Sequence, residues 1–372
     1  MPRTPPEPES RYLPPVPITH RFRRIFGVTT ALAFGLALGC AETTPSPPPP
    51  VPTLVLLDST HLSLRIIPIE APDGAETVSL GGGAASAVGL ATRGKLAVVT
   101  LSALDAVMIV DLSMPSVRRV VGVPAQSLVA GPTILDDTTA YVALTALDQL
   151  LRIDLRSGDT ASVEAGPAPA AAIATRGKIF ALNTERLVCV VAPCPAGPSW
   201  LTVIDPVLNA RATDIDSIPL VGPGNALYGT VGSDGLLYII QAGTPAQGEG
   251  RLSIVDPVSR VEKASFGGFG ISPGPVAADQ SDRILIASET EGMMLFDLRL
   301  REVERGAGQG LPVSRNTAVA ADGRNFLLAV ESGPCGGANG RIRIFKPNLS
   351  EVTGIDAGSC PAAASVTGVP AR

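Results

Sequence analysis

Histidine is nearly missing from this 372-residue chain, which holds only His20 and His61. A His-rich metal centre is excluded by number, and no Ser/His/Asp set can be assembled around His61 from sequence. Tryptophan occurs once, at Trp200, and aromatics make up 4% of the chain. A single Trp beside a strand is by default a packing residue. A repeating Trp motif is absent. There is no basic surplus either. The formal net charge is −5, and the stretch before Cys40 holds five Arg and two Glu, which leaves 24 basic and 32 acidic residues, a net of −8, for the rest. An acidic body gives no electrostatic reason to bind nucleic acid. Long apolar runs are lacking as well. The best candidate, residues 25–39, is too short to span a bilayer comfortably.

That run follows Arg21, Arg23 and Arg24, so residues 1–39 read as a signal peptide with a basic n-region. It ends Leu36-Ala37-Leu38-Gly39-Cys40, which resembles a bacterial lipobox, with Ala37 in place of the usual Leu. The resemblance implies that Cys40 becomes the lipid-modified first residue of the mature protein. Arg23-Arg24-Ile25-Phe26 also resembles a twin-arginine export signal, with Phe22 where Ser or Thr is preferred. Residues 41–52, AETTPSPPPPVP, have almost nothing to bury, and their prolines favour an extended chain. Residues 40–52 are therefore expected to be a lipidated tether, and residues 53–372 a single folded body.

The body is rich in Gly and Pro and is built on repetition. Ala91-Thr92-Arg93-Gly94-Lys95 and its apolar follower Leu96-Ala97-Val98-Val99 return at Ala174-Thr175-Arg176-Gly177-Lys178, followed by Ile179-Phe180-Ala181-Leu182. The offset of 83 is two periods of about 42, the repeat length of a β-propeller blade. Each repeat carries a run of small residues, a turn with Gly or Asp, an apolar strand, and a third strand that usually ends in Asp. Small-residue runs such as Ala170-Ala171-Ala172-Ile173 and Thr317-Ala318-Val319-Ala320 suit inner strands crowded around an axis. The third strands form the clearest rows, from Val107-Met108-Ile109-Val110-Asp111 to Met293-Met294-Leu295-Phe296-Asp297, with Lys346 closing the last. The recurring Asp is expected to accept backbone hydrogen bonds from the next turn, a structural role.

These rows resemble β-propellers built from YVTN-type repeats, most closely at residues 151–158 and 233–239, although the Tyr-Val-Thr-Asn tetrad itself is lacking. The fold class is all-β: a β-propeller of seven four-stranded blades. Residues 54–80 lack a small-residue run before them, and Ala362–Val369 supply one with nothing after it. The two ends are expected to share one blade, which removes exposed sheet edges.

Beyond Cys40 there are Cys189, Cys194, Cys335 and Cys360. An even count in an exported chain reads as disulfides with three possible connectivities, and proximity favours Cys189–Cys194 and Cys335–Cys360. Gly89–Leu96 nearly matches a phosphate-binding loop, but Leu96 replaces the Ser or Thr, and a strand follows instead of a helix. Asp214 with Asp216, and Asp279 with Asp282, are read as solvated turn carboxylates in preference to Ca²⁺ ligands. No catalytic residue, cofactor or metal site is assigned.

Loop asymmetry remains. The connections between second and third strands are long at residues 184–199, 241–250 and 331–340, and in propellers they emerge on the face of the between-blade loops. The expectation is a monomeric, membrane-anchored lipoprotein of the cell envelope. It would bind a protein or polysaccharide partner through that face. A rival reading is a metal-dependent hydrolase, lactonase-like, at the central channel. Asn225 and Asn316 are its polar candidates among inner runs of Ala, Val and Ser, and they would have to meet an acid around a cation.

Overall fold

A computed structural model describes residues 48–82, 87–186, 196–323, 326–333, 335 and 337–370. The signal segment, Cys40, Cys189 and Cys194 lie outside these residues. The propeller is formed by the unit that begins at Pro48.

The first strands are β1 (Val51–Asp58), β2 (Ser63–Pro68) and β3 (Glu76–Ser79). Blade 2 is β4 (Ala87–Arg93), β5 (Leu96–Leu101), β6 (Ala106–Asp111) and β7 (Ser116–Gly122). Blade 3 is β8 (Val129–Asp136), β9 (Thr139–Leu144), β10 (Gln149–Asp154) and β11 (Thr160–Glu164). Blade 4 is β12 (Pro169–Thr175), β13 (Lys178–Arg186) and β14 (Ala196–Asp205), with an outer strand in two pieces, β15 (Ala210–Arg211) and β16 (Ser217–Pro219). Blade 5 is β17 (Ala226–Val231), β18 (Leu237–Gln241), β19 (Arg251–Asp256) and β20 (Val261–Phe266). Blade 6 is β21 (Val276–Ala278), β22 (Arg283–Ser288), β23 (Gly292–Asp297) and β24 (Glu302–Arg305). Blade 7 is β25 (Asn316–Asp322), β26 (Phe326–Glu331), β27 (Gly340–Phe345) and β28 (Glu351–Gly358). The last strand, β29 (Pro361–Val369), returns to β1, so blade 1 runs β29-β1-β2-β3. The seven blades and the shared closing blade are as the repeat count implies.

Burial explains the strand compositions. β5, β6 and β9 are buried at every position, as expected for strands covered on both faces. The outer β7 is exposed at most positions. Seven apolar clusters fill the described body, each lying between two consecutive blades. Val55, Leu57 and Leu64 of blade 1 meet Ala97, Val99 and Val110 of blade 2. At the other side of the ring, Leu54 and Leu56 meet Leu328, Val330 and Ile342 of blade 7. The core is a ring of interfaces, so an open chain would leave two of its faces wet.

The inner strands show why small residues are needed. A Cβ on Gly131 would sit 2.2 Å from the Ala171 Cα, and one on Gly89 would sit 2.5 Å from Pro132 Cδ. Backbones of adjacent blades touch at these points, and Gly131 also has φ 36°. Hydroxyls link the neighbours, as where Thr92 Oγ1 lies 2.7 Å from Ser365 Oγ and Thr317 Oγ1 donates to the Pro361 carbonyl at 2.9 Å.

The Asp-ended third strands behave as expected. Oδ1 of Asp111, Asp154, Asp205, Asp256 and Asp297 each accepts the backbone N–H groups two and three residues on. In blade 7, Asn348 Oδ1 replaces the missing Asp and accepts the Ser350 N–H.

Two expectations shift. The twin pentapeptides form hairpins one residue out of step. Arg93 pairs with Leu96 around Gly94 and Lys95, whereas Thr175 pairs with Lys178 around Arg176 and Gly177. Both Arg176 and Gly177 have positive φ, the geometry of a type I′ turn. Lys178 joins the strand, and its Nζ lies 2.5 Å from Asp205 Oδ2. The expected loop 184–199 is also partly strand, because Thr184 pairs with Ser199 and Arg186 with Ala196. The other two long connections are loops, between Gln241 and Arg251 and between Glu331 and Gly340.

Candidate binding face

Strand register sorts the loops onto two faces. On one, each connection between second and third strands meets the connection entering a blade. Ala242 N–H donates to the Asn225 carbonyl at 3.0 Å, Gly250 N–H to the Gly270 carbonyl at 2.9 Å, and Ser332 N–H to the Arg315 carbonyl at 3.2 Å. On the other face lie the turns between first and second and between third and fourth strands.

The first face, here the loop face, is most elaborate where blades 6, 7 and 1 adjoin. A cleft of about 440 Å³ between blades 6 and 7 is lined by residues including Thr290, Glu291, Gly292, Gly308, Ser314 and Glu331. Its wall depends on glycine: a Cβ on Gly310 would lie 2.1 Å from the Glu291 carbonyl oxygen, and one on Gly292 2.0 Å from that of Leu311. Glu291 Oε2 accepts the Gly308 N–H at 2.6 Å, which folds the blade 6–7 connection over the loop. Next along the ring, Cys335 and Cys360 form a disulfide with a Cα–Cα distance of 4.8 Å, tying the 332–339 loop to the start of β29. This pair is one the spacing favoured.

In blade 1, Asp58 Oδ1 accepts the Thr60 and His61 N–H groups at 2.9 and 3.0 Å. Burial raises the Asp58 pKa, but hydrogen bonds from the His61 backbone, the His61 ring and Thr60 outweigh it and hold the carboxyl below its ordinary value. His61 Nδ1 lies 3.3 Å from Asp58 Oδ2 and 3.1 Å from Ser359 Oγ. Sequence did not foresee this grouping, since Ser359 lies 298 residues away. It is not a nucleophile relay, because a relay uses the two ring nitrogens separately and here both partners reach Nδ1. It ties a loop of blade 1 to the blade 7–1 connection.

Asn225 and Asn316 belong to different junctions. Asn225, at φ 62°, donates through Nδ2 to the Gly243 carbonyl at 3.2 Å. Asn316, 1% exposed, donates to the Gly292 carbonyl at 3.1 Å beneath the cleft. Each fastens a loop. Among the described residues no three His, Cys, Asp or Glu side chains are grouped to hold a metal. Asp214 binds Arg260, Asp216 lies 2.8 Å from Arg211, and Asp282 accepts Ser233 Oγ–H at 2.7 Å.

A pair of buried amides was missed. Asn183 Nδ2 donates to Thr202 Oγ1 at 2.8 Å in blade 4, and Gln241 Nε2 to Ser253 Oγ at 2.7 Å in blade 5. Asn183 lies near the end of β13 and Gln241 ends β18, where its Oε1 also holds the Gly224 N–H at 3.2 Å. The only trace in sequence is an amide closing an apolar strand.

No family model matches the sequence, and no curated protein matches it. Among solved structures, Kuenenia stuttgartiensis hydrazine synthase is similar at a TM-score of 0.55 and 13% identity, over 73% of this chain and 87% of that chain. At that identity the likeness shows the propeller fold alone.

Proposed function

We propose that the protein is a lipid-anchored β-propeller of the bacterial cell envelope that acts as a binding or scaffolding module through its loop face. The observation that carries this reading is the grouping on one face of the 242–250 loop, the disulfide-held 332–339 loop and the cleft beside Glu291 and Glu331. Long loops on a rigid repeat scaffold are where such proteins engage partners. The anchor rests on the leader and Cys40, and the partner is an envelope protein or polysaccharide. The acidic body argues against nucleic acid, and a ring closed through β29 and β1 suits a monomer.

The test is site-specific photo-crosslinking in intact envelopes. A photoreactive residue at Gln247 or Glu331 samples the loop face, and one at Val352, on an outer strand, is the control. One common product from both loop-face positions, missing at Val352, is the expected result. Labelling equal at all three positions, or none at Gln247 and Glu331, would overturn the binding-face reading.

A further inference from the structure

The opposite face carries a pattern that the proposed function leaves unused. At the turn between third and fourth strands, the Asp folds back so that Oδ1 accepts the N–H groups two and three residues on. The carboxylate is thereby consumed inside the turn, and the side chains two and three positions on become its outward tips. In four blades at least one of these tips is apolar and exposed: Met114 at 71%, Val207 at 88%, Leu208 at 67%, Val258 at 73% and Leu300 at 61%, with Ser113, Ser259 and Arg299 at the other position in blades 2, 5 and 6. Single exposed apolar residues need no explanation. Recurrence at these two positions of one turn, on one face, in blades 2, 4, 5 and 6 does. In blade 3 the same positions are Arg156 and Ser157, and in blade 7 Leu349 is only half-exposed.

The chain enters the body on this same face. Val51 pairs with Val369 at the β1 and β29 ends that correspond to the first-to-second-strand turn of other blades. Pro50 packs above Gly368, with a Cβ built there 2.9 Å from Pro50 Cβ. Beside it is an apolar crevice of about 220 Å³ lined by residues including Val51, Ile66, Leu112 and Val369. Cys40 lies eleven residues before Val51, a reach of at most about 40 Å.

We infer that this face rests on a lipid bilayer, with Met114, Val207, Leu208, Val258 and Leu300 as apolar tips in the interfacial layer. The inference builds on the Cys40 anchor, and it names a surface the anchor does not by itself specify. Apolar tips, not a charge field, carry the contact. Asp256 and Asp297 are folded into their turns, and Lys263 and Arg118 pair with Asp256 and Asp111. A contact made mainly by apolar tips is expected to depend little on salt. It turns the loop face away from the membrane, toward a partner.

The experiment uses the full chain, purified from membranes and reconstituted in vesicles of phosphatidylethanolamine and phosphatidylglycerol that carry nitroxide-labelled lipid. An environment-sensitive fluorophore is attached through Val258→Cys on the proposed contact face, or through Gln247→Cys on the loop face. The expected result is at least twofold quenching at 258 and none at 247, unchanged in high salt. A third reporter, Arg156→Cys, sits on the contact face without being a tip. It is expected to be quenched, and to lose that quenching when Met114, Val207, Val258 and Leu300 are all changed to Ser. These exposed changes leave folding intact, checked by an unchanged melting temperature. No quenching at 258, equal quenching at 247, or unaltered quenching at 156 in the Ser variant overturns the inference. The intact mass reports separately on the anchor. An unacylated Cys40 with position 258 still quenched would remove the anchor and leave the face standing.

Discussion

Asp279 shows how finely single residues are balanced in this ring. Its Oδ1 accepts the Ser281 and Arg283 N–H groups at 2.9 and 2.7 Å, while its buried Oδ2 has no hydrogen-bond partner among the described residues. Burial pushes the Asp279 carboxyl above its ordinary pKa, and the two backbone donors offset this only in part. The folded state thus favours the protonated acid. The associated stability is present at low pH and is lost as pH rises through the folded value. Asp279→Asn keeps the accepting oxygen and cannot ionise. Its melting temperature minus that of the parent is expected to rise between about pH 3.5 and pH 7, as followed by circular dichroism. Asp256 runs the other way. Its hydrogen bond from Ser259 Oγ, with backbone donors from Val258 and Ser259, lowers the carboxyl to about 2. Its contribution is present above the ordinary carboxylate range and fades as pH falls toward about 2.

At the scale of elements, the Cys335–Cys360 bridge closes a loop of 25 residues and fixes where β29 begins. The Cys335→Ser, Cys360→Ser double variant is expected to lose about 2–4 kcal/mol in urea unfolding under oxidising conditions. Reductant should destabilise the parent by a similar amount and leave the variant unmoved. The Asp-ended third strands were legible in sequence because one hydrogen-bonding device recurs at one position. The twin pentapeptides misled for the complementary reason. Local identity made Leu96 and Ile179 look equivalent, yet Leu96 packs toward the following blade and Ile179 toward the preceding one. A one-residue slip exchanges the two faces of a strand, and the Lys178–Asp205 pair that accompanies it joins residues 27 apart. The inner strand of blade 5 was harder to see, since β17 carries Tyr228 where most other inner strands have small residues.

For the whole molecule, the repeat period and the unmatched ends foretold seven blades and a shared closing sheet. The cleft beside Glu331 was not foretold, because it arises where two blades meet and no local pattern encodes it. Closure itself can be tested. Truncation after Ser359 removes β29, strips β1 of its inner partner and uncovers the apolar interface with blade 7. The truncated chain is expected to lose its cooperative thermal transition. A circular permutant that joins residue 370 to residue 48 through a short linker and opens at the exposed turn after Asp154 is expected to retain it. Loss of the transition in both chains would mean that something other than ring closure was broken.

The placement of β1 also has a mechanical consequence. It is the strand through which any pull on the N-terminal segment enters the body. It is flanked on both sides, by β29 from Val51↔Val369 to Asp58↔Pro361 and by β2 from Thr53↔Pro68 to Asp58↔Ser63. Tension along the strand therefore loads both ladders in shear, with their hydrogen bonds sharing the force instead of parting one after another. A propeller hung by an outer strand would unzip from its rim. This one is hung from within a blade, at the seam where its two ends are joined.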